Sequence, residues 1–115
     1  DLDKQNKFRN TPLIIACEYG RESMVNILVE NGADTNKENK YKNTPLIIAT
    51  EYNNEELIKI LIRYGAKIDQ ENEDGNTPLI FACRNKNETM VRYLIENGAD
   101  VNKENINGET PLLYA

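Results

Sequence analysis

The tripeptide Thr-Pro-Leu occurs four times in 115 residues, beginning at Thr11, Thr44, Thr77 and Thr110. Successive starts are 33 residues apart each time (44−11, 77−44, 110−77), and all four prolines of the chain sit in this motif. A second marker keeps the same interval: Gly32-Ala33-Asp34, Gly65-Ala66-Lys67 and Gly98-Ala99-Asp100. Residues 6–38 and 72–104 align without insertion and share 20 of 33 positions. A fixed period of this length marks a repeat architecture, in which each unit buries its apolar side against the next. Composition agrees. With 39% hydrophobic residues, two Phe and no Trp, a single central core would be thin.

The unit can be read from its residues. Thr11 suits an N-cap, because its hydroxyl accepts one of the unpaired N–H groups of a first helical turn, and Pro12 suits the first helical position. Leu13, Ile14, Ile15, Ala16 and Cys17 follow as a short, nearly all-apolar helix that must be buried on most sides. Gly20 can adopt the left-handed conformation that ends such a helix. A second helix is expected over roughly Glu22 to Glu30, with Met24, Val25, Ile27, Leu28 and Val29 as its apolar stripe, stopped by Asn31-Gly32. The stretch leading to the next Thr-Pro-Leu is polar and turn-rich, with Asp74-Gly75 and Asn107-Gly108 as tight-turn signals. Each unit is therefore helix, turn, helix and an extended polar finger.

The 33-residue period, the Thr-Pro-Leu helix start and the Gly-Ala-Asp ending resemble the ankyrin-repeat family, and the resemblance covers the whole chain. It implies an all-α solenoid of helix-turn-helix units carrying β-turn or hairpin fingers. Three departures stand out. Where the family has His after Thr-Pro-Leu, this chain has Ile14, Ile47, Ile80 and Leu113, so apolar packing must replace a hydrogen bond between neighbouring turns. The family glycine two residues before the Thr survives as Gly75 and Gly108 but is replaced by Arg9 and Lys42. Lys86 stands where the other units have Gly20 and Asn53, and each of these changes is expected to shift its turn locally.

The array divides into the end of a repeat (1–5), three complete repeats (6–38, 39–71 and 72–104) and the start of another (105–115). Neither end carries the polar outer face of a terminal repeat, so a longer array is expected.

Several classes of function are disfavoured. A net charge of −5 argues against nucleic acid or anionic membrane as the main partner. No apolar run approaches the ~20 residues of a membrane span, so membrane insertion is not expected. The chain contains no histidine, which removes Ser-His and Cys-His nucleophile pairs and His-ligated metal sites. No Gly-rich phosphate loop and no calcium-type spacing of oxygens is present. No catalytic residue, metal, cofactor or small-molecule substrate is expected. Cys17 and Cys83 share one slot two units apart, with Thr50 between them. Helix spacings of ~8–10 Å put them beyond disulfide reach, so they read as small buried thiols, and a reducing, cytoplasmic setting is expected.

What remains is recognition of a partner protein. The family resemblance places partner contacts on finger tips and on the solvent-facing end of each first helix, which together line a concave groove. Carried over by position, this face takes in Phe8, Arg9 and Tyr19 in the first unit, Tyr41, Lys42 and Tyr52 in the second, and Arg84 in the third. An aromatic followed by a base at the tip, and Glu-Tyr on the wall (Glu18-Tyr19, Glu51-Tyr52), recur in the first two units only. Aromatics beside Arg are frequent interface anchors, although recent duplication of neighbouring units also explains shared residues. Charge is graded along the same face. Lys7, Arg9, Lys40 and Lys42 make the early tips basic, whereas Glu73, Asp74 and Glu109 make the later ones acidic. From sequence alone, solvation accounts for that gradient more simply than steering of a partner does. A spacer within a larger protein, or an appendage to an enzyme, are the alternative roles. The sequon Asn87-Glu88-Thr89 and the Lys-Glu-Asn tripeptides at Lys37 and Lys103 are expected to be structural rather than signals.

Overall fold

The computed structural model describes residues 1–111, and in them six α-helices follow one another with no strand. They are α1 (Pro12–Glu18), α2 (Glu22–Glu30), α3 (Pro45–Glu51), α4 (Glu55–Arg63), α5 (Pro78–Arg84) and α6 (Glu88–Glu96). The helices form three pairs, α1 with α2, α3 with α4 and α5 with α6, and successive pairs stack. The described start of the fourth Thr-Pro-Leu ends at Pro111, and Leu112 and Leu113 lie outside the described residues.

The first helix of each pair begins as its cap predicts. Oγ1 of Thr11, Thr44 and Thr77 accepts the N–H of Ile14, Ile47 and Ile80 at 3.1, 3.3 and 3.3 Å. Those three isoleucines, in the slot the family gives to histidine, are fully buried. Leu13, Leu46 and Leu79 make a second buried row beside them. Thr50, in the slot of the two cysteines, is buried with its hydroxyl donating to Leu46 O and Ile47 O. It fits an apolar site because no polar atom is left unpaired.

All three first helices close in the same way. The residue two past the cap donates its N–H to the third residue from the helix end: Arg21 to Ala16 O, Asn54 to Ala49 O and Asn87 to Ala82 O, at 2.9, 2.9 and 3.2 Å. This closure needs a left-handed residue, and Gly20, Asn53 and Lys86 all adopt it, with φ of 66°, 57° and 56°. Lys86 therefore does not redirect its turn. It takes the glycine-like conformation at a local cost of about 1–2 kcal/mol, imposed by the bonds on either side. The second helices differ at their starts. Asn54 and Asn87 cap α4 and α6 by accepting from Leu57 N and Met90 N, both at 3.2 Å. Arg21 makes no side-chain cap for α2.

Each finger is held by one asparagine. Oδ1 of Asn39 accepts from the N–H groups of Tyr41 and Asn43 at 2.9 and 3.1 Å. Asn6, Asn72 and Asn105 repeat the pattern on the residues two and four ahead. Neighbouring tips are joined by single backbone bonds: Lys40 N to Phe8 O, Glu73 N to Tyr41 O and Ile106 N to Asp74 O, at 2.9, 3.0 and 3.0 Å. The result is a row of tight turns tied side by side.

The array measures 40 × 27 × 21 Å. Its first helices lie close together, α1 against α3 and α3 against α5, whereas α2 and α4 touch more sparsely.

Candidate functional site

The sequence-predicted contact residues fall at two levels. Tyr19 and Tyr52 are the C-cap residues of α1 and α3. A short helix stopped at that point presents the cap side chain to solvent, and the two rings are 72% and 58% exposed. Phe8 and Tyr41 stand at the finger tips, 44% and 46% exposed, and the Lys40 N to Phe8 O bond holds those tips together. Lys7 Nζ lies 5.2 Å from the Phe8 ring centroid and Lys40 Nζ 5.9 Å from that of Tyr41, within cation–π range.

Arg9 and Lys42 follow those rings with φ of 62° and 64°. Gly75 and Gly108 occupy the same slot in the next fingers, each with φ of 76°. The turn therefore does not change shape where glycine is replaced; the substituted residues accept the strained conformation. That outcome corrects the expectation of altered turns at Arg9, Lys42 and Lys86.

Arg84 is engaged differently. Its guanidinium lies 3.4 Å from Glu109 Oε1, donates to Asn76 Oδ1 at 3.3 Å and sits 5.6 Å from the Phe81 ring centroid. It braces the third finger against the fourth, while the first two units have Glu18 and Glu51 in its place. Glu18 has its carboxyl pushed up from the ordinary carboxylate range, first by partial burial and then by the negative charge of Glu51. The wall beneath the first two tips is thus acidic, and its two carboxylates are close enough to repel.

The ion pairs among the described residues are Arg84–Glu109 and Lys103–Glu71, the latter at 3.5 Å. Lys7, Arg9, Lys40 and Lys42 are exposed and belong to neither. No cluster of three potential metal ligands occurs among the described residues, nor is any helix there long and apolar enough to cross a membrane. Both thiols are free and buried. Burial, with a smaller contribution from Glu18, pushes the Cys17 thiol up to about 12, and burial also raises that of Cys83.

A model for ankyrin repeats (3 copies) matches residues 1–72 and 64–115, which together span the chain. The protein belongs to the ankyrin-repeat family. Compared one by one with curated proteins, it matches none. Ankyrin repeats are generally modules of protein–protein interaction and are typically non-catalytic.

Two features of this ankyrin array escaped the sequence reading. One is an open apolar cleft of about 770 Å³ bounded by Pro12, Ile15, Tyr19, Met24 and Ile27. Its chemistry repeats along the chain: Ile48, Leu57 and Ile60, 33 residues on, are buried. Position in the stack, not composition, leaves Met24 and Ile27 half exposed. The other is the work done by Asn87. Besides capping α6, it donates Nδ2 to Asn53 Oδ1 and Glu55 Oε2 at 2.7 and 2.9 Å. A structural role thus accounts for the asparagine of the sequon, and burial of Asn39 and Asn105 at the finger bases does the same for the Lys-Glu-Asn tripeptides.

Proposed function

We propose that the protein binds a partner protein on the inner face formed by its fingers and the ends of its first helices. Phe8, Tyr19, Tyr41 and Tyr52 are the anchors, with Arg9, Lys42 and Arg84 at the edge. One observation carries this reading: four aromatic rings are 44–72% exposed at equivalent positions of two adjacent units. Exposed apolar rings grouped on one side of a molecule mark interaction surfaces. Family membership supports it, because this architecture generally serves protein–protein interaction.

The test is to isolate a partner with the intact chain and then titrate Tyr41→Ala and Tyr52→Ala. A hot-spot aromatic contributes at least ~2 kcal/mol when truncated, about thirtyfold in affinity. Tyr64, the C-cap of α4, lies at the end of a second helix, so Tyr64→Ala serves as the control and should leave binding within about twofold of the parent. Unchanged affinity in both inner-face variants, or a loss confined to Tyr64→Ala, would place the working surface elsewhere. A spacer would bind no partner through any of these residues.

A further inference from the structure

Resting on that reading of the inner face, we infer that the tips of the first two fingers seat an acidic, extended segment of the partner protein, its carboxylates meeting Arg9 and Lys42.

The two tips are near copies: Asn6-Lys7-Phe8-Arg9-Asn10 and Asn39-Lys40-Tyr41-Lys42-Asn43. Together they hold four cations and no carboxylate, in a chain whose net charge is −5. None of the four cations takes part in an ion pair among the described residues. Solvation alone explains exposed charge, but it does not explain the backbone beneath it. Arg9 and Lys42 hold left-handed conformations with φ of 62° and 64°, in a slot where Gly75 and Gly108 serve the same turn without a β-carbon. Strain kept at a surface where glycine suffices points to a use for the side chain.

The seat is also built before anything arrives. Gln5 donates its amide to Arg9 O at 2.7 Å and to Glu38 O at 3.0 Å, so the first finger is fixed to the base of the second. Ordering the loop in advance removes part of the entropic cost of binding. The aromatic ring beside each cation supplies an apolar contact for the same ligand.

The surroundings select the class of occupant. The third tip carries Glu73 and Asp74, and the wall below the first two carries Glu18 and Glu51. A nucleic-acid strand has a charge on every residue and would meet those carboxylates as it crossed the face. A polypeptide can place acidic residues at two tips and neutral or basic ones elsewhere.

A library of short random peptides, selected on the intact chain, tests the inference directly. Selected peptides should be enriched in Asp and Glu, and their affinity should fall by at least about tenfold in the double variant Arg9→Gly/Lys42→Gly and fall again with added salt. That variant relieves the left-handed strain, so its melting temperature should be equal or higher, and lost binding cannot be ascribed to unfolding. Neutral or basic peptides among the winners would overturn the inference, as would a single-stranded oligonucleotide of equal charge binding as tightly as they do. Selected peptides that depend on Tyr52 but tolerate Arg9→Gly/Lys42→Gly would leave the inner face as the binding surface and remove the acidic occupant. Peptides indifferent to both changes would remove the inner face as well.

Discussion

Asn39 donates its side-chain amide to Asn10 Oδ1 at 2.9 Å while its own Oδ1 accepts two N–H groups of its finger. Asn105 and Asn76 repeat the contact at 2.9 Å. One side chain therefore shapes a finger and ties it to the preceding one. The Asn amide carries its acceptor and its donor on separate atoms, so one short side chain can serve both contacts at once.

Replacing Asn39 with alanine should be costly for that reason. The residue is 4% exposed and its three hydrogen bonds are part-buried, so water would replace it only incompletely. Leaving buried polar groups unpaired costs roughly 1–3 kcal/mol each, and Asn39→Ala is expected to lose ~2–3 kcal/mol in chemical denaturation. A loss below ~0.5 kcal/mol, the level of an ordinary surface change, would contradict the account of the finger.

The stacked core has its own test in Leu61, which is fully buried in α4 between the neighbouring helix pairs. Leu61→Ala should destabilise by ~2–5 kcal/mol, from lost burial and the cavity left behind. A shift smaller than ~1 kcal/mol would mean that neighbouring pairs do not cover one another as described.

Cys17 provides a prediction in alkaline pH. Its thiol is raised from 9.0 to about 12 in the folded chain, so between those values the folded state holds a proton that the unfolded state has lost. Stability from this source is complete below pH 9.0 and falls as pH rises toward 12. Replacing Cys17 with alanine should flatten that part of the stability profile. Near neutral pH, thiol reagents should label neither cysteine in the folded protein and both after denaturation, since thiolate and access are both needed for reaction. Rapid labelling of native Cys17 would contradict its burial.

Much of the fold was legible because its signals are local. Thr11-Pro12 starts a helix through one hydroxyl and one fixed dihedral, and Leu13, Ile14, Ala16 and Cys17 behind it are buried. Gly20 ends the turn within the same few residues. Of the candidate site, the exposure of Phe8, Tyr19, Tyr41 and Tyr52 was legible from their positions. The bracing role of Arg84 was not, since Glu109 is brought to it by the next unit while Asn76 comes from the finger of its own.

By itself, the sequence determined the 33-residue period, the order of helices and fingers, and the burial of Leu13, Leu46 and Leu79. Each of these depends on contacts within about one unit, repeated. Only the tertiary structure decided that Arg9, Lys42 and Lys86 adopt the glycine conformation. It also decided that Ile27 is 54% exposed while its counterpart Ile60 is 4% exposed. The reason is physical. A dihedral strained by about 1–2 kcal/mol persists only when bonds across a turn and between fingers outweigh it. An isoleucine is buried only where a neighbouring unit lies against it, and both conditions are set once the units stack.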